Sequence, residues 1–277
     1  MNLTDRTGEI NCKMWDGTVA PPQVGSVVKV RGLVQEYNGR QQLRIERIRA
    51  AQPEDHVDLR LLVPCAPEEP EVMYKEITDT VARFEREDLR KLVTEMLRMA
   101  GDKLMYFPAA QRLHHAERSG LLHHTTGMLR TAEHIIAAYP FLNGDLLRAG
   151  VILHDLSKIQ EMNSDDMGNV NDYTRDGLLI GHLVRGVAQL SLAAQNVGVT
   201  GEIVLLLEHM IISHHGEAEF GSPRMPMFPE AEALHWIDLL DARMNEMQSI
   251  MQRTPEGAFS EKIWSLDRRL YHPHYEE

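Results

Sequence analysis

The feature that most constrains this chain is a change of hydrophobic period across a proline-rich stretch. Between Gln52 and Pro70, Pro53, Pro64, Pro67 and Pro70 alternate with acidic residues, a composition that reads as a linker or extended bridge. Before it the chain has strand character. Ile10, Cys12 and Met14 alternate with Glu9, Asn11 and Lys13, which predicts a half-buried strand over Gly8–Trp15. Ser26–Tyr37 and Gln41–Ala51 read as two more strands, joined at Asn38-Gly39, the strongest short hairpin signal. After the prolines, helical periodicity runs through Val72–Phe84, Glu87–Met99, Leu121–Tyr139, Gly144–Leu156, Leu178–Asn196, Gly201–Ile212 and Glu230–Gln252, punctuated by Pro140, Gly198 and Pro229. The expected fold is mainly α: a small β domain over residues 1–52, a linker over 53–70 and an all-α domain over 71–277.

Charge separates the two parts further. The net charge of −12 argues against a protein coated with nucleic acid, because phosphate contacts need Lys and Arg. Residues 1–60 nevertheless carry nine basic and eight acidic residues, a net of +1, so the remainder holds −13. Within Val24–Ala50 six basic residues face two acidic ones, with Arg40, Arg44 and Arg47 on the second hairpin strand. Three strands with a basic hairpin suggest a small barrel of the OB type, which binds single strands across its face, although any small antiparallel sheet has the same periodicity. An OB barrel has five strands, so this one is expected to lack its first. Cys12 and Cys65 show neither disulfide nor metal-site spacing, and no basic-then-apolar leader or membrane-length apolar run is present. The expected location is cytoplasmic, with no membrane partner.

The chemistry centres on Gly150–Lys158, an apolar run that contains His154-Asp155. Adjacent residues on a helix diverge by about 100° and can grip one ion from neighbouring corners. Alone, the pair equally describes a helix end reaching solvent. Its company decides otherwise: His124, His182, His214-His215 and Asp238 each fall on a different predicted helix. Imidazole with carboxylate suits Mn²⁺, Fe²⁺, Zn²⁺ or Ni²⁺ rather than a cation that takes oxygen ligands only. An Asp155 shared between two clusters would bridge two ions, the arrangement that activates water for phosphoryl displacement. Asp241, one turn past Asp238, is expected behind the ligands, either competing for the ion or holding His235. Lys158 fits a phosphate-facing cation. His114, His115 and His123 are expected at substrate phosphate, with partly exposed loop histidines as the alternative. Trp15, Trp236 and Trp264 are expected in the core, and the fifteen methionines as core filler.

The order of His124, His154-Asp155 and Asp238 resembles the signature of the HD-domain phosphohydrolases, and His182, His214 and His215 resemble the further ligands of its two-metal members. Gly120–Thr125, Asp176–His182, Ser213–Pro223, Glu230-Ala231 and Leu234–Met244 are together similar to the YhaM-type 3′→5′ exoribonucleases, which place an OB-fold before the HD domain. Thr4–Ile10 and Met14-Trp15-Asp16 resemble the OB portion, so the likeness covers nearly the whole chain. It departs at Ser119 and Ser157, where the family usually has Gly, at His123, where an acidic residue is usual, and in beginning later than family members do.

The resemblance implies an HD-domain helical bundle acting as a metal-dependent phosphodiesterase. Its metal ligands would be His124, His154, Asp155, His182, His214, His215 and Asp238, with Asp155 and Lys158 carrying the chemistry. Two divalent ions are implied, manganese first, with iron, zinc, nickel or cobalt as alternatives. The favoured substrate is the 3′ end of single-stranded RNA or DNA. A phosphohydrolase acting on a small nucleotide or cyclic dinucleotide, and a non-catalytic nucleotide-sensing module, are the competing readings. Assembly into a homo-oligomer stays open.

Overall fold

A computed structural model describes residues 1–15 and 22–275, apart from the Phe220 side chain. Asp16, one of the residues in the OB resemblance, lies outside the described residues. The chain divides into two units, Met1–Cys65 and Ala66–Glu277.

The first unit is a four-stranded sheet of β1 (Asn2–Asp5), β2 (Gly8–Lys13), β3 (Val28–Tyr37) and β4 (Arg40–Ala50), ordered β1-β2-β4-β3. The β3–β4 hairpin turns at Asn38-Gly39, whose φ values of 51° and 73° supply the left-handed pair that a two-residue connection needs. β2 runs parallel to β4, while β1–β2 and β3–β4 are antiparallel. Cys12, Ile45 and Ile48 form its buried centre. β1 is a strand beyond the three expected. With four residues and only Leu3 partly buried, it is too short to carry an alternating pattern. The first residues of the expected linker remain with this unit, where Asp55 pairs with Lys29 and Arg49 at 2.7 and 2.6 Å.

The second unit is helical. α1 (Pro70–Ala82) and α2 (Glu87–Ala100) are followed by α3 (Gly120–Ala138) and α4 (Gly144–Leu153). A single-turn α5 (Lys158–Glu161) leads into a small hairpin, β5 (Met162–Ser164) and β6 (Val170–Tyr173). Then come α6 (Arg175–Leu179), α7 (Gly181–Val197), α8 (Glu202–Ser213) and α9 (Pro229–Met251). α2 buries Leu89, Leu92, Val93 and Met96, the i, i+3, i+4, i+7 stripe of an amphipathic helix. α4 is capped by Asn143, whose side chain accepts from the Leu146 N–H at 3.1 Å. After its first turn it is apolar except for Arg148, burying Leu146, Leu147 and every residue from Ala149 to Leu153, as a central helix of a bundle does. At Gly150 the Met210 side chain of α8 occupies the space that a Cβ would take, with Cε 2.1 Å from that position, so the methionine packs directly on the α4 backbone.

Two expected helices are interrupted. The segment predicted over Gly144–Leu156 ends at Leu153, and His154–Ser157 form a turn. The His154-Asp155 pair therefore projects from a helix end instead of lying along a helix. The segment predicted from Leu178 breaks at Gly181, whose φ is 75°, and divides into α6 and α7. All three tryptophans expected in the core are exposed: Trp15 at 77%, Trp236 at 58% and Trp264 at 90%. Among the described residues no helix is long and apolar enough to cross a membrane.

Candidate metal centre

The end of α4 delivers Asp155 into a ring of imidazoles contributed by three other helices and by its own neighbour His154. On one side, His124 of α3 has its Nε2 3.2 Å from Asp238 Oδ1 of α9 and 3.9 Å from Asp155 Oδ2. His154 Nε2 lies 3.3 Å from the same Asp155 Oδ2. On the other side, His182 at the start of α7 and His214 at the end of α8 point Nε2 at Asp155 Oδ1, 3.6 and 3.7 Å away. His215 joins His182 and His214 in a second donor group. The two carboxylate oxygens of Asp155 are thus divided between two sets of nitrogen donors.

Five of these atoms have no hydrogen-bond partner among the described residues. Nε2 of His124, His154, His182 and His214 and Oδ1 of Asp155 are all buried and unsatisfied. Each such group costs about 1–3 kcal/mol of desolvation if nothing meets it, and their convergence on one carboxylate fits divalent ions. Donors at about 2.1 Å from a tetrahedral ion sit about 3.4 Å apart, in the range of the separations here. The opposite ring nitrogens explain the orientation. Nδ1 of His154 and of His214 meets the carbonyl of Val151 and Ile211, each at 2.8 Å. His124 Nδ1 meets Asp241 Oδ2 at 2.7 Å, and His182 Nδ1 meets Glu161 Oε1 at 3.0 Å. With Nδ1–H donating in each case, the lone pair is left on Nε2, as a metal ligand requires.

Electrostatics follow the same division. Burial opposes ionisation of Asp155, but Lys158 and His154 beside it hold the carboxyl well below its usual range. Burial likewise opposes charging His124, yet the carboxylates of Asp238 and Asp241 on either side of its ring carry it up to about 9. His214 is pushed well down by burial and by its neighbour His154. Lys158, only 13% exposed in its side chain, places Nζ 2.7 Å from Asp155 Oδ2, and that carboxylate keeps it charged against the effect of burial.

The remaining expected residues separate into three places. His114 is half-buried with its ring 5.5 Å from that of His124, and burial together with Lys158 drives its pKa to about 3, so it is a neutral group at the centre's edge. His115 is buried behind the ligands instead of facing outward. Its Nε2 meets Asp241 Oδ2 at 2.7 Å, and its backbone N–H donates to Asn245 Oδ1 at 2.9 Å. His123 faces Glu117 at 2.7 Å. Asp241 holds His124 and His115, not His235, whose Nδ1 donates instead to the His214 carbonyl at 2.8 Å. The His235 ring packs against Gly216, where a Cβ would lie 2.4 Å from Cε1, so the left-handed glycine (φ 80°) is also required by space. Glu161, Glu117 and Asn245 were not anticipated, since nothing in their spacing marks them.

Comparison with known proteins agrees with this geometry. Residues 1–51 match the family described as OB-fold nucleic acid binding domain, and residues 121–243 match the HD domain. The chain is 40% identical to the 3′-5′ exoribonuclease YhaM of Listeria innocua, over 99% of this chain and 88% of that protein. The corresponding protein of a Geobacillus species is 39% identical over 98% and 83%, and that of Oceanobacillus iheyensis 37% over 99% and 87%. The chain belongs to the YhaM family. No solved structure matches it. The HD domain implies dependence on divalent metal, and the clusters of His and Asp described above could hold such an ion.

In this YhaM-family chain the OB unit presents a basic surface. Arg40, Arg44 and Arg47 are exposed and make no ion pair among the described residues, whereas Lys29 and Arg49 are taken up by Asp55. Lys13 is the register partner of Arg44 and lies over the Tyr37 ring at 5.4 Å, with exposed Trp15 nearby at 6.0 Å.

Proposed function

We propose that this chain shortens single-stranded RNA from its 3′ end by metal-dependent hydrolysis of successive phosphodiester bonds, using two divalent ions, manganese before the others. The observation that carries the reading is the division of Asp155, with Oδ2 toward His124 and His154 and Oδ1 toward His182 and His214. When bound, such a pair of ions supplies Lewis acidity and a water of lowered pKa for in-line attack on phosphorus. His124, His154, Asp155 and Asp238 would hold one ion, and Asp155, His182, His214 and His215 the other. Lys158 keeps a charged ammonium beside this group, able to meet a non-bridging phosphate oxygen where negative charge accumulates. His114 stays neutral at the edge and can donate to a phosphate without repelling the ions. The basic and aromatic surface of Lys13, Trp15, Tyr37, Arg40, Arg44 and Arg47 has the composition that single strands use, cations along the backbone and rings under the bases. The names of the 37–40% identical relatives support RNA as the substrate.

The test is incubation of the full chain with a 5′-labelled single-stranded oligoribonucleotide and Mn²⁺, resolved by length over time. A descending ladder of mononucleotide steps is expected, absent in Asp155→Ala and slower on the matching oligodeoxynucleotide. Cleavage confined to di- or cyclic dinucleotides, with the oligomer intact, would overturn the reading in favour of a small-nucleotide phosphohydrolase.

A further inference from the structure

A second constellation of donors lies beyond Asp241, outside the group just assigned. His115 Nδ1, His123 Nδ1 and Glu117 Oε1 face one another, with separations of 3.1 Å between the nitrogens, 2.7 Å from His123 to Glu117 and 3.7 Å from His115 to Glu117. These three atoms meet as potential ligands of one ion. We propose that they form an additional cation site that takes Zn²⁺, separate from the pair assigned to RNA hydrolysis and independent of that assignment.

The protonation pattern supports an ion. His115 Nε2 is 2.7 Å from Asp241 Oδ2, so its proton sits there and its Nδ1 offers a lone pair, which faces His123 and the Asn245 side-chain N–H at 3.3 Å. A proton between His123 Nδ1 and Glu117 would satisfy that pair. The same proton is within reach of His115 Nδ1 at 3.1 Å, and an ion in its place would accept all three lone pairs at once. Ligands about 2.0–2.1 Å from tetrahedral zinc lie about 3.3 Å from each other, and the three separations bracket that value. Two imidazoles and one carboxylate are a known three-ligand set for zinc, with the fourth position open to water. Side-chain exposures of 23% for His123 and 19% for Glu117, against 3% for His115, give that fourth position access from one side.

The site also has a route to the main centre. Coordination at Nδ1 obliges His115 to keep its proton on Nε2, the tautomer that Asp241 accepts while it also accepts from His124 Nδ1. Zinc at this position would therefore fix the orientation of His124 through Asp241. His115 acts here as a positioning residue.

Zinc per chain, measured by elemental analysis after desalting of the full chain from Zn²⁺, is the deciding quantity. Glu117→Gln and His123→Gln should each carry one equivalent less than the wild type, and Asp155→Ala/Glu117→Gln one less than Asp155→Ala. Equal zinc in each comparison would overturn the site. Because the second comparison is made without Asp155, failure of the two-ion assignment would appear instead as unchanged metal between the wild type and Asp155→Ala. Cobalt gives an independent readout if a variant folds poorly. Four-coordinate Co²⁺ has visible absorption bands, and the part of the wild-type spectrum that survives in Asp155→Ala should vanish on adding Glu117→Gln. Its persistence in a variant with wild-type circular dichroism would also refute the proposal.

Discussion

Asp241 is the most informative residue to perturb, because it lies behind the residues proposed to hold the ions and yet holds His124 in place. Its Oδ2 accepts from His124 Nδ1 and from His115 Nε2, both at 2.7 Å. Asp241→Asn keeps the shape, removes the charge and weakens both bonds, so His124 loses the partner that fixes its tautomer and ring angle. Loss of such an outer partner typically costs 10–100-fold in metal affinity, about 1.4–2.7 kcal/mol. The loss should fall on the ion held by His124 and Asp238, while that held by His182, His214 and His215 is little changed. Isothermal titration with Mn²⁺ should therefore resolve one weakened and one unaffected binding step. Gly127→Ala offers an independent route to the same effect, since its Cβ would lie 2.6 Å from Asp241 Oδ1 and push that carboxylate off His124. Equal weakening of both steps, or none in either variant, would refute the division of the centre.

Lys158→Met should lower kcat by about 10²–10³-fold, the scale of losing one charge-stabilising donor, without reducing bound metal, because the lysine competes with a cation for Asp155 Oδ2; near-normal kcat at full metal occupancy would remove it from the mechanism. Replacing Arg40, Arg44 and Arg47 by Glu should weaken oligonucleotide binding and flatten its salt dependence, each phosphate contact contributing a slope of about −0.7 on single strands. Hydrolysis of bis-p-nitrophenyl phosphate should be unchanged in that variant, and a matching loss would assign the hairpin to folding instead. Glu95 accepts from Arg98 at 2.7 and 2.8 Å and from Asn196 at 2.8 Å, tying α2 to α7, and Arg98 first and Asn196 second hold its carboxyl down at about 2. A folded-state pKa below the ordinary 4.5 means that this stabilisation is complete above pH 4.5 and is lost as pH falls through about 2. The melting temperature of Glu95→Gln should accordingly fall less steeply over that interval than that of the wild type.

The fold was legible where a period had room to repeat. Helices of ten or more residues, such as Glu87–Ala100 and Pro229–Met251, carry enough turns for an apolar stripe to stand out. The Asn38-Gly39 turn announces itself because few other pairs adopt two successive left-handed conformations. Four-residue β1, three-residue β5 and the break after Leu153 carry no such signal. The break in particular is hidden because apolar Leu153 and Leu156 continue the local pattern, while a contact that anchors the turn is far away in sequence: Ser157 Oγ donates to the His182 carbonyl at 2.8 Å, twenty-five positions along the chain. A local pattern continues the helix there, and the tertiary contact ends it. The tryptophans fail for the opposite reason. Bulk and apolarity favour burial on average, but this chain spends all three on its surface.

At the site, the residues that the structure brings together were legible and most of the contacts that hold them were not, and the difference is one of distance in sequence. Each ligand sits in a short motif on its own helix, so the order His124, His154-Asp155, His182, His214-His215, Asp238 can be read without knowing how the helices pack. Asp241 holds His124 across 117 positions and Asn245 holds His115 across 130, and no spacing rule connects such pairs. Glu161 is an intermediate case: it follows Lys158 by one turn and resembles a solvated helix acid until His182 is placed beside it. Lys158 shows how a position can be legible while one of its contacts is not. Its location one turn beyond His154 made it a cation at the centre, but i to i+3 on a helical turn also brings it onto Asp155. The ammonium is therefore shared between the carboxylate that divides the ion sites and any phosphate that enters, so neutralising it alters metal binding and transition-state charge together, in opposite directions.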